Sequence, residues 1–284
     1  METVSTMARW QLAHGRHLDL GDSAKLMGIL NVTPDSFSDG GRFIGLDAAL
    51  AQAQRMIEEG ADIIDVGGES TRPGATPVAA GEEQRRILPV IEALAGSGTL
   101  ISVDTFRAAT ARLAVAAGAH IVNDVHGLQR EPDIAKVAAD TGAGLVIMHT
   151  GRDREKLPDV VADQFVFLER SLEIARDAGV GDGQIVLDPG FGFAKDYEEN
   201  LALMARFAEL LRLAYPWMVG TSRKRLVGEA TGRAPDTRDP GTAATSVILR
   251  LAGADIFRVH NVAVNRDALV FADAMLERRR LHED

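Results

Sequence analysis

The chain is expected to fold as an α/β protein, a closed (β/α)8 TIM barrel with a short N-terminal hairpin extension, on three observations. Eight short apolar runs recur along it, each stops at or beside a polar residue, and helical spacing of apolar positions fills the roughly 20–40 residues between them. Continuous apolar runs suit strands buried on both faces, the habit of parallel sheets. Strand then helix, eight times over, is the count of a closed barrel, whose chemistry collects at the C-terminal strand ends. That is where the polar residues fall.

Residues 1–25 precede the first run. Hydropathy there alternates on either side of His14-Gly15, predicting a small hairpin placed over the N-terminal mouth of the barrel. Strands are expected at 26–31, 63–67, 100–104, 121–124, 145–149, 185–188, 217–222 and 256–260. Helices are expected at 47–59, 82–94, 107–117, 133–141, 163–177, 198–213, 241–251 and 265–279. Asp47 is a candidate cap for the first helix. Gly60, Gly118, Gly142, Gly179 and Gly253 follow the ends of others, where a left-handed residue closes the last turn. No linker or composition shift divides the chain, so residues 1–284 read as one domain, with an extension at 1–25 and a barrel at 26–280. Two loops on the catalytic face, 32–41 and 67–74, are rich in Gly, Pro, Ser and Thr, which permits movement.

The bulk numbers narrow the class. Of 284 residues 46% are hydrophobic and 25% charged, ordinary for a soluble globular protein. A net charge of −10 argues against a nucleic-acid partner. No apolar stretch approaches the roughly 20 residues that span a bilayer, and the N-terminus lacks a basic and apolar leader pattern, so a cytoplasmic location and no membrane partner are expected. With no cysteine, disulfides, thiolate metal sites and cysteine nucleophiles are excluded.

Asp104, Asn123 and Asp188 end three strands, and Lys224 follows a fourth by a short turn. Two carboxylates, an amide and an ammonium suit a flat heterocycle with mixed donors and acceptors; adjacent N–H groups of a guanidine-like edge match a carboxylate bidentately. Arg258 and His260 alternate across Val259, so both leave the last strand on one side as an anion-binding pair. Arg72, Ser222 and Arg223 are further candidates on neighbouring loops. Barrels of this kind often place phosphate near the seventh and eighth strands. Asn31 ends the first strand with a neutral oxygen, and oxygen ligands supplemented by phosphate are what Mg²⁺ accepts. Singly, each has a plainer reading: Asp188-Pro-Gly190 as a turn, Asp104-Thr105 as a helix cap, Arg223 to Arg225 as a solvated basic run, Arg258 and His260 as a solvated strand end. Together, six of eight strands deliver hydrogen-bonding groups to one mouth, which a barrel without a ligand has little reason to do. His149 ends the fifth strand as a minor candidate. Asp65 and Glu69 lie near the second strand's end, where they could bond neighbouring loops instead of ligand, and His120, which begins a strand, should lie at the opposite mouth.

Six segments carry a resemblance: Gly28-Ile-Leu-Asn-Val-Thr-Pro-Asp-Ser-Phe-Ser-Asp-Gly-Gly41, Asp65-Val-Gly-Gly-Glu-Ser-Thr-Arg-Pro-Gly74, Ile101-Ser-Val-Asp-Thr105, Leu187-Asp-Pro-Gly-Phe-Gly-Phe193, Ser222-Arg-Lys224 and Arg258-Val-His260. They resemble the dihydropteroate synthases of the folate pathway. That resemblance implies a TIM barrel, usually a homodimer, that joins 6-hydroxymethyl-7,8-dihydropterin pyrophosphate to p-aminobenzoate and releases pyrophosphate with Mg²⁺ present. It makes Asp104, Asn123, Asp188 and Lys224 the pterin pocket, with Met148 beneath the ring and Asp104 and Lys224 among the catalytic set. Asn31 resembles the metal ligand; Arg258 and His260, with Arg72, resemble the pyrophosphate clamp. Phe37, Thr71 and Pro73 resemble the p-aminobenzoate loops, with Ser222 close by, where sulfonamides would bind. Two stretches depart from the pattern: Thr150 to Pro158, where many relatives carry Met-x-Gly-x-Pro, and Asn261, where an Asp often follows the His. Two other readings stay open on the sequence. A pterin-binding methyltransferase barrel shares the pocket but leaves Arg258, His260 and the 33–41 loop unexplained, and a catalytically silent pterin-binding paralogue would keep every matching residue.

Overall fold

The computed structural model describes residues 8–32, 42–70 and 76–283. Eight parallel strands follow one another around the barrel: β3 (Lys25–Asn31), β4 (Ile63–Gly67), β5 (Leu100–Asp104), β6 (Ile121–Asp124), β7 (Gly144–Met148), β8 (Ile185–Asp188), β9 (Met218–Val219) and β10 (Ile256–Val259). Pairing runs β8-β7-β6-β5-β4-β3-β10-β9, and a parallel bridge between Leu187 and Trp217 brings β8 back to β9. The ring closes there. The seventh barrel strand, Met218–Val219, is shorter than the predicted 217–222, and the chain turns away by Arg223, which is left-handed at φ 55°.

In front of the barrel, β1 (Ala8–Gln11) and β2 (His17–Leu20) pair antiparallel as the expected hairpin. Its place is also as expected. Trp10, Leu12 and Leu20 join one apolar cluster with Met27, Ile63, Leu100, Ile121, Val146, Val186, Met218 and Ile256, the inward residues at the N-terminal strand ends. Trp10 donates its Nε1–H to the Gln184 carbonyl at 2.7 Å. A Cβ on Gly144 would lie 2.4 Å from Leu12 Cδ2, so only glycine lets the hairpin seat this closely. His120 lies at this mouth, as predicted, accepting from Ile101 N at its Nδ1.

The helices on the outside are α1 (Arg42–Glu58), α2 (Ala80–Leu94), α3 (Ala108–Ala116), α4 (Asp133–Thr141), α5 (Val160–Asp177), α6 (Tyr197–Ala205), α7 (Arg225–Thr231), α8 (Asp239–Leu251) and α9 (Val262–Glu283). Two expectations need correction. Asp47 lies inside α1 and caps nothing, since the helix begins five residues earlier. The predicted 198–213 helix stops at Ala205 and continues as 3-10 turns over Phe207–Leu213. The short α7 is additional. Gly60, Gly118, Gly142, Gly179 and Gly253 all take positive φ just past a helix, as predicted.

Candidate active site

Because strand side chains alternate, the residues one repeat above that apolar cluster also point into the barrel. Counting from Met27, Ile63, Leu100, Ile121, Val146, Val186 and Ile256, they are Ile29, Asp65, Ser102, Asn123, Met148, Asp188 and Arg258. One step further come Asn31, Gly67, Asp104 and, just past β10, His260. A dry plug below thus gives way to a polar chamber open at the C-terminal mouth.

Arg258 sits among carboxylates. Its Nε donates to Asp65 Oδ2 at 2.6 Å and its Nη2 to Asp104 Oδ2 at 2.8 Å. Asn123 Nδ2 donates to the same Asp65 oxygen at 3.2 Å. Burial pushes Asp104 up to about 7 against the pull of Arg258, and Asp65 adds to the rise. Two negative groups therefore share one guanidinium in a water-poor place. Asp65 is the residue that the sequence leaves between loop and ligand. It is 0% exposed at the centre of the chamber, not turned to a loop. Counting in twos from Ile63 would have found it. Glu69 does serve the loops, as expected: it binds Arg107 at 2.6 Å and accepts from Val78 N.

Three buried oxygens in this chamber, Asp65 Oδ1, Ser102 Oγ and Asn123 Oδ1, have no hydrogen-bond partner among the described residues. Unpaired buried polar atoms cost about 1–3 kcal/mol each, and these three cluster on neighbouring strands beside Arg258.

On the other side, Asp188 ends β8 opposite Met148 in register. Its Oδ1 accepts the Gly190 N–H at 2.7 Å. Burial raises its carboxyl above the usual range, and Lys224 opposes that rise. Lys224, just ahead of α7, donates to the Phe191 carbonyl at 2.5 Å and stands over the Phe193 ring, 4.7 Å from its centre. Its own desolvation lowers it to about 8. At pH 7 it is still mainly the ammonium, a charge-assisted donor suited to a ring carbonyl.

Ser222, buried, accepts from the His260 N–H at 3.1 Å and lies 2.9 Å from His260 Nδ1, so it orients that imidazole. Arg223 does not join the anion site. It forms a bidentate pair with Asp239 at 2.7 and 2.8 Å, and Asn261 donates to the same carboxylate at 2.9 Å. The departure at Asn261 is thereby accommodated outside the chamber. The departing 150–158 loop is pinned by Arg154, which binds Asp163 and the Thr150 carbonyl. His149 faces Asp163 and Lys195 behind the Asp188 turn, not the chamber. Phe37, Thr71, Arg72 and Pro73 lie outside the described residues.

A barrel whose chamber offers carboxylates, an amide and a lysine to a flat nitrogen heterocycle is the class known as pterin-binding enzymes, and the family model described as "Pterin binding enzyme" matches residues 27–260. A dihydropteroate synthase of Bacillus subtilis (strain 168) is 45% identical over 283 residues, covering 98% of each chain. Among solved structures, the dihydropteroate synthase of Clostridium difficile in the presence of pteroic acid is 44% identical with a TM-score of 0.88, over 91% of this chain and 98% of that one. That of Xanthomonas albilineans with 4-aminobenzoic acid is 44% identical with a TM-score of 0.89, over 95% and 99%. The chain belongs to the dihydropteroate synthase family of transferases.

Proposed function

We infer that the chain condenses 6-hydroxymethyl-7,8-dihydropterin pyrophosphate with p-aminobenzoate, giving 7,8-dihydropteroate and pyrophosphate. The observation that carries this is the buried polar set at the C-terminal strand ends: unpaired oxygens on Asp65, Ser102 and Asn123, the Asp188 carboxylate and the Lys224 ammonium across from them, and Met148 as an apolar floor. In this reading Asp188 receives the pterin N3–H and 2-amino donors as a bidentate acceptor, and Lys224 donates to the ring carbonyl. Asp104 and Asn123 complete the pocket.

The bond that breaks joins the methylene carbon to the pyrophosphate oxygen, and the bond that forms joins that carbon to the arylamine nitrogen. Positive charge developing at the methylene spreads into the electron-rich dihydropterin, beside the Asp65 and Asp104 carboxylates. In this reading Arg258, which pairs with Asp65 and Asp104 in the ligand-free site, and His260 absorb charge developing on the leaving pyrophosphate, an electrostatic effect. The arylamine is neutral at pH 7 and attacks without a prior base, releasing its proton to water or pyrophosphate. No nucleophilic serine and no covalent enzyme intermediate are required.

The donor set also bears on Mg²⁺. Among the described residues no group of three or more His, Cys, Asp or Glu side chains could hold a metal ion, and Asp65 and Asp104 already bind Arg258. The residues fit a cation that shares the pyrophosphate's oxygens, with Asn31 as its protein ligand at the mouth. There it would neutralise charge on the leaving group. Phe37, Thr71 and Pro73, with Ser222 nearby, are assigned to p-aminobenzoate and Arg72 to pyrophosphate on the resemblance alone.

Among the described residues no helix is long and apolar enough to cross a membrane; a cytoplasmic enzyme fits this reading. A homodimer is proposed through α9, packed along α8, where Val264, Val270, Phe271 and Met275 are exposed, Phe271 at 71%. An apolar patch of this kind marks an interface. The deciding experiment follows pyrophosphate release from the pterin pyrophosphate with and without p-aminobenzoate. Release that depends on p-aminobenzoate supports the reading. Release without it, or none at all from folded protein, overturns it in favour of a different transfer or a silent paralogue.

A further inference from the structure

Behind the Asp188 turn lies a buried polar cluster that the mechanism above does not use. Lys195, just before α6, is buried, and its Nζ donates to the Gly190 carbonyl at 2.9 Å. The same Nζ lies 2.9 Å from His149 Nδ1. His149, fully buried, faces Asp163 Oδ2 through Nε2 at 2.9 Å, and Asp163 is held in turn by Arg154. Burial of the imidazole, with Lys195 and Arg154 beside it, depresses it to about 3, so it is neutral. In the tautomer that lets Nδ1 accept from the lysine, Nε2 carries the proton and donates it to Asp163, with the Arg154 Nη2 that lies 2.9 Å from Nε2 directed to the same carboxylate.

Gly190 is the hinge of this arrangement. It takes φ +63°, and a Cβ there would fall 1.9 Å from the His149 carbonyl, so only glycine fits this turn. One side of Gly190 presents its N–H to Asp188 Oδ1; the other presents its C=O to Lys195 and to Phe193 N. These two groups belong to successive peptide units joined at the Gly190 Cα, so holding the carbonyl narrows the swing of that hinge and with it the direction of the N–H that aims the carboxylate.

We propose that Lys195 is a positioning residue for the pterin-binding carboxylate, held by the His149–Asp163 pair and acting on Asp188 through the Gly190 peptide. Lys195 touches no substrate atom in this scheme. Its positive charge also favours the ionised form of Asp188, as Lys224 does more strongly. Lys195 is buried, and desolvation lowers it to about 7, so the protein keeps a costly amine at a site where an apolar side chain would be cheaper. That expense is explained by a task in ligand binding. The inference rests on the assignment of Asp188 to pterin.

The test measures affinity for 6-hydroxymethylpterin by calorimetry, KM for each substrate, kcat, and Tm. Lys195→Met keeps the stem and removes the donor. It should weaken pterin binding about tenfold and raise the pterin pyrophosphate KM alike, the loss expected for one net hydrogen bond. The p-aminobenzoate KM, kcat and Tm should hold. His149 supplies a second, geometrically matched pair. His149→Asn leaves an acceptor near the Nδ1 position and should recover most of the affinity. His149→Gln carries its amide toward Asp163, deserts Lys195 and should behave like Lys195→Met. A purely structural lysine would instead lower Tm and leave pterin affinity untouched, which overturns the proposal, as would equal effects of His149→Asn and His149→Gln. Asp188→Asn run alongside separates the two levels. If it also binds at wild-type strength, the pterin assignment has failed; if it alone loses affinity, only the role of Lys195 has.

Discussion

Replacing Asp188 with Asn tests the pocket's central recognition element. The amide preserves volume, and its oxygen can keep the 2.7 Å bond from Gly190 N. The NH₂ then points into the chamber, where the carboxylate had offered its second oxygen to two ring donors. Two charge-assisted hydrogen bonds at about 1.5–3 kcal/mol each are lost or mismatched. A conservative total of about 3 kcal/mol corresponds to roughly a hundredfold weaker binding. Stability should move the other way or not at all. Burial raises the folded-state pKa of Asp188, so its contribution to stability is full below the unfolded-chain value, near 4, and is lost as pH rises through the raised one. At pH 7 the ionised carboxylate is a cost that Asn removes, offset partly because Lys224 loses its partner. Calorimetric titration with 6-hydroxymethylpterin, paired with thermal melts, reads both. A folded variant with wild-type affinity refutes the assignment; a variant that melts well below the wild type refutes the reasoning on cost.

Further outcomes follow from other contacts. Arg258→Ala leaves the Asp65 and Asp104 carboxylates unpaired and should cost about 3–5 kcal/mol of stability; chemical denaturation at pH 7 checks it, and a loss below 1 kcal/mol contradicts the buried pairing. His260→Ala should weaken pyrophosphate binding while sparing plain pterin, and titration of each ligand separately would expose equal losses. The Asp104 carboxyl, raised to about 7 by burial, loses its stabilising contribution between about pH 4 and 7; the stability of Asp104→Asn relative to wild type should therefore climb over that interval in denaturant melts, and a flat difference contradicts it. Trp10→Ala empties the hairpin's anchor and should cost about 3–5 kcal/mol with kcat unchanged; a large fall in kcat at full stability would place the hairpin in catalysis.

Much of the site was readable because the strands are short and most carry a polar side chain at or near the C-terminal end. Asp104, Asn123, Asp188, Lys224, Arg258 and His260 all stood out as polar stops after apolar runs, and alternation across Val259 placed the last pair together. Asp65 was left between loop and ligand because Val66 and Gly67 follow it in the strand, so only counting in twos from Ile63 turns it inward. Lys195 escaped for another reason: its side chain reaches back to Gly190 from the far side of a turn, with Ala194 at φ 53°, and no period reports such a fold-back. Arg223 was drawn to the anion site by its neighbours in sequence, yet a left-handed backbone turns it to Asp239. Asp47 failed as a cap because α1 extends past it, and α7 is too short to carry a period.

The most direct measurement is a crystal structure with 6-hydroxymethylpterin soaked or co-crystallised into the protein. The ring should lie over Met148 in the chamber above the hairpin plug, with N3–H and the 2-amino group on Asp188 and the ring carbonyl on the Lys224 side. A pterin seated elsewhere, or one that turns its carbonyl toward Asp188, would contradict the assignment of this chamber.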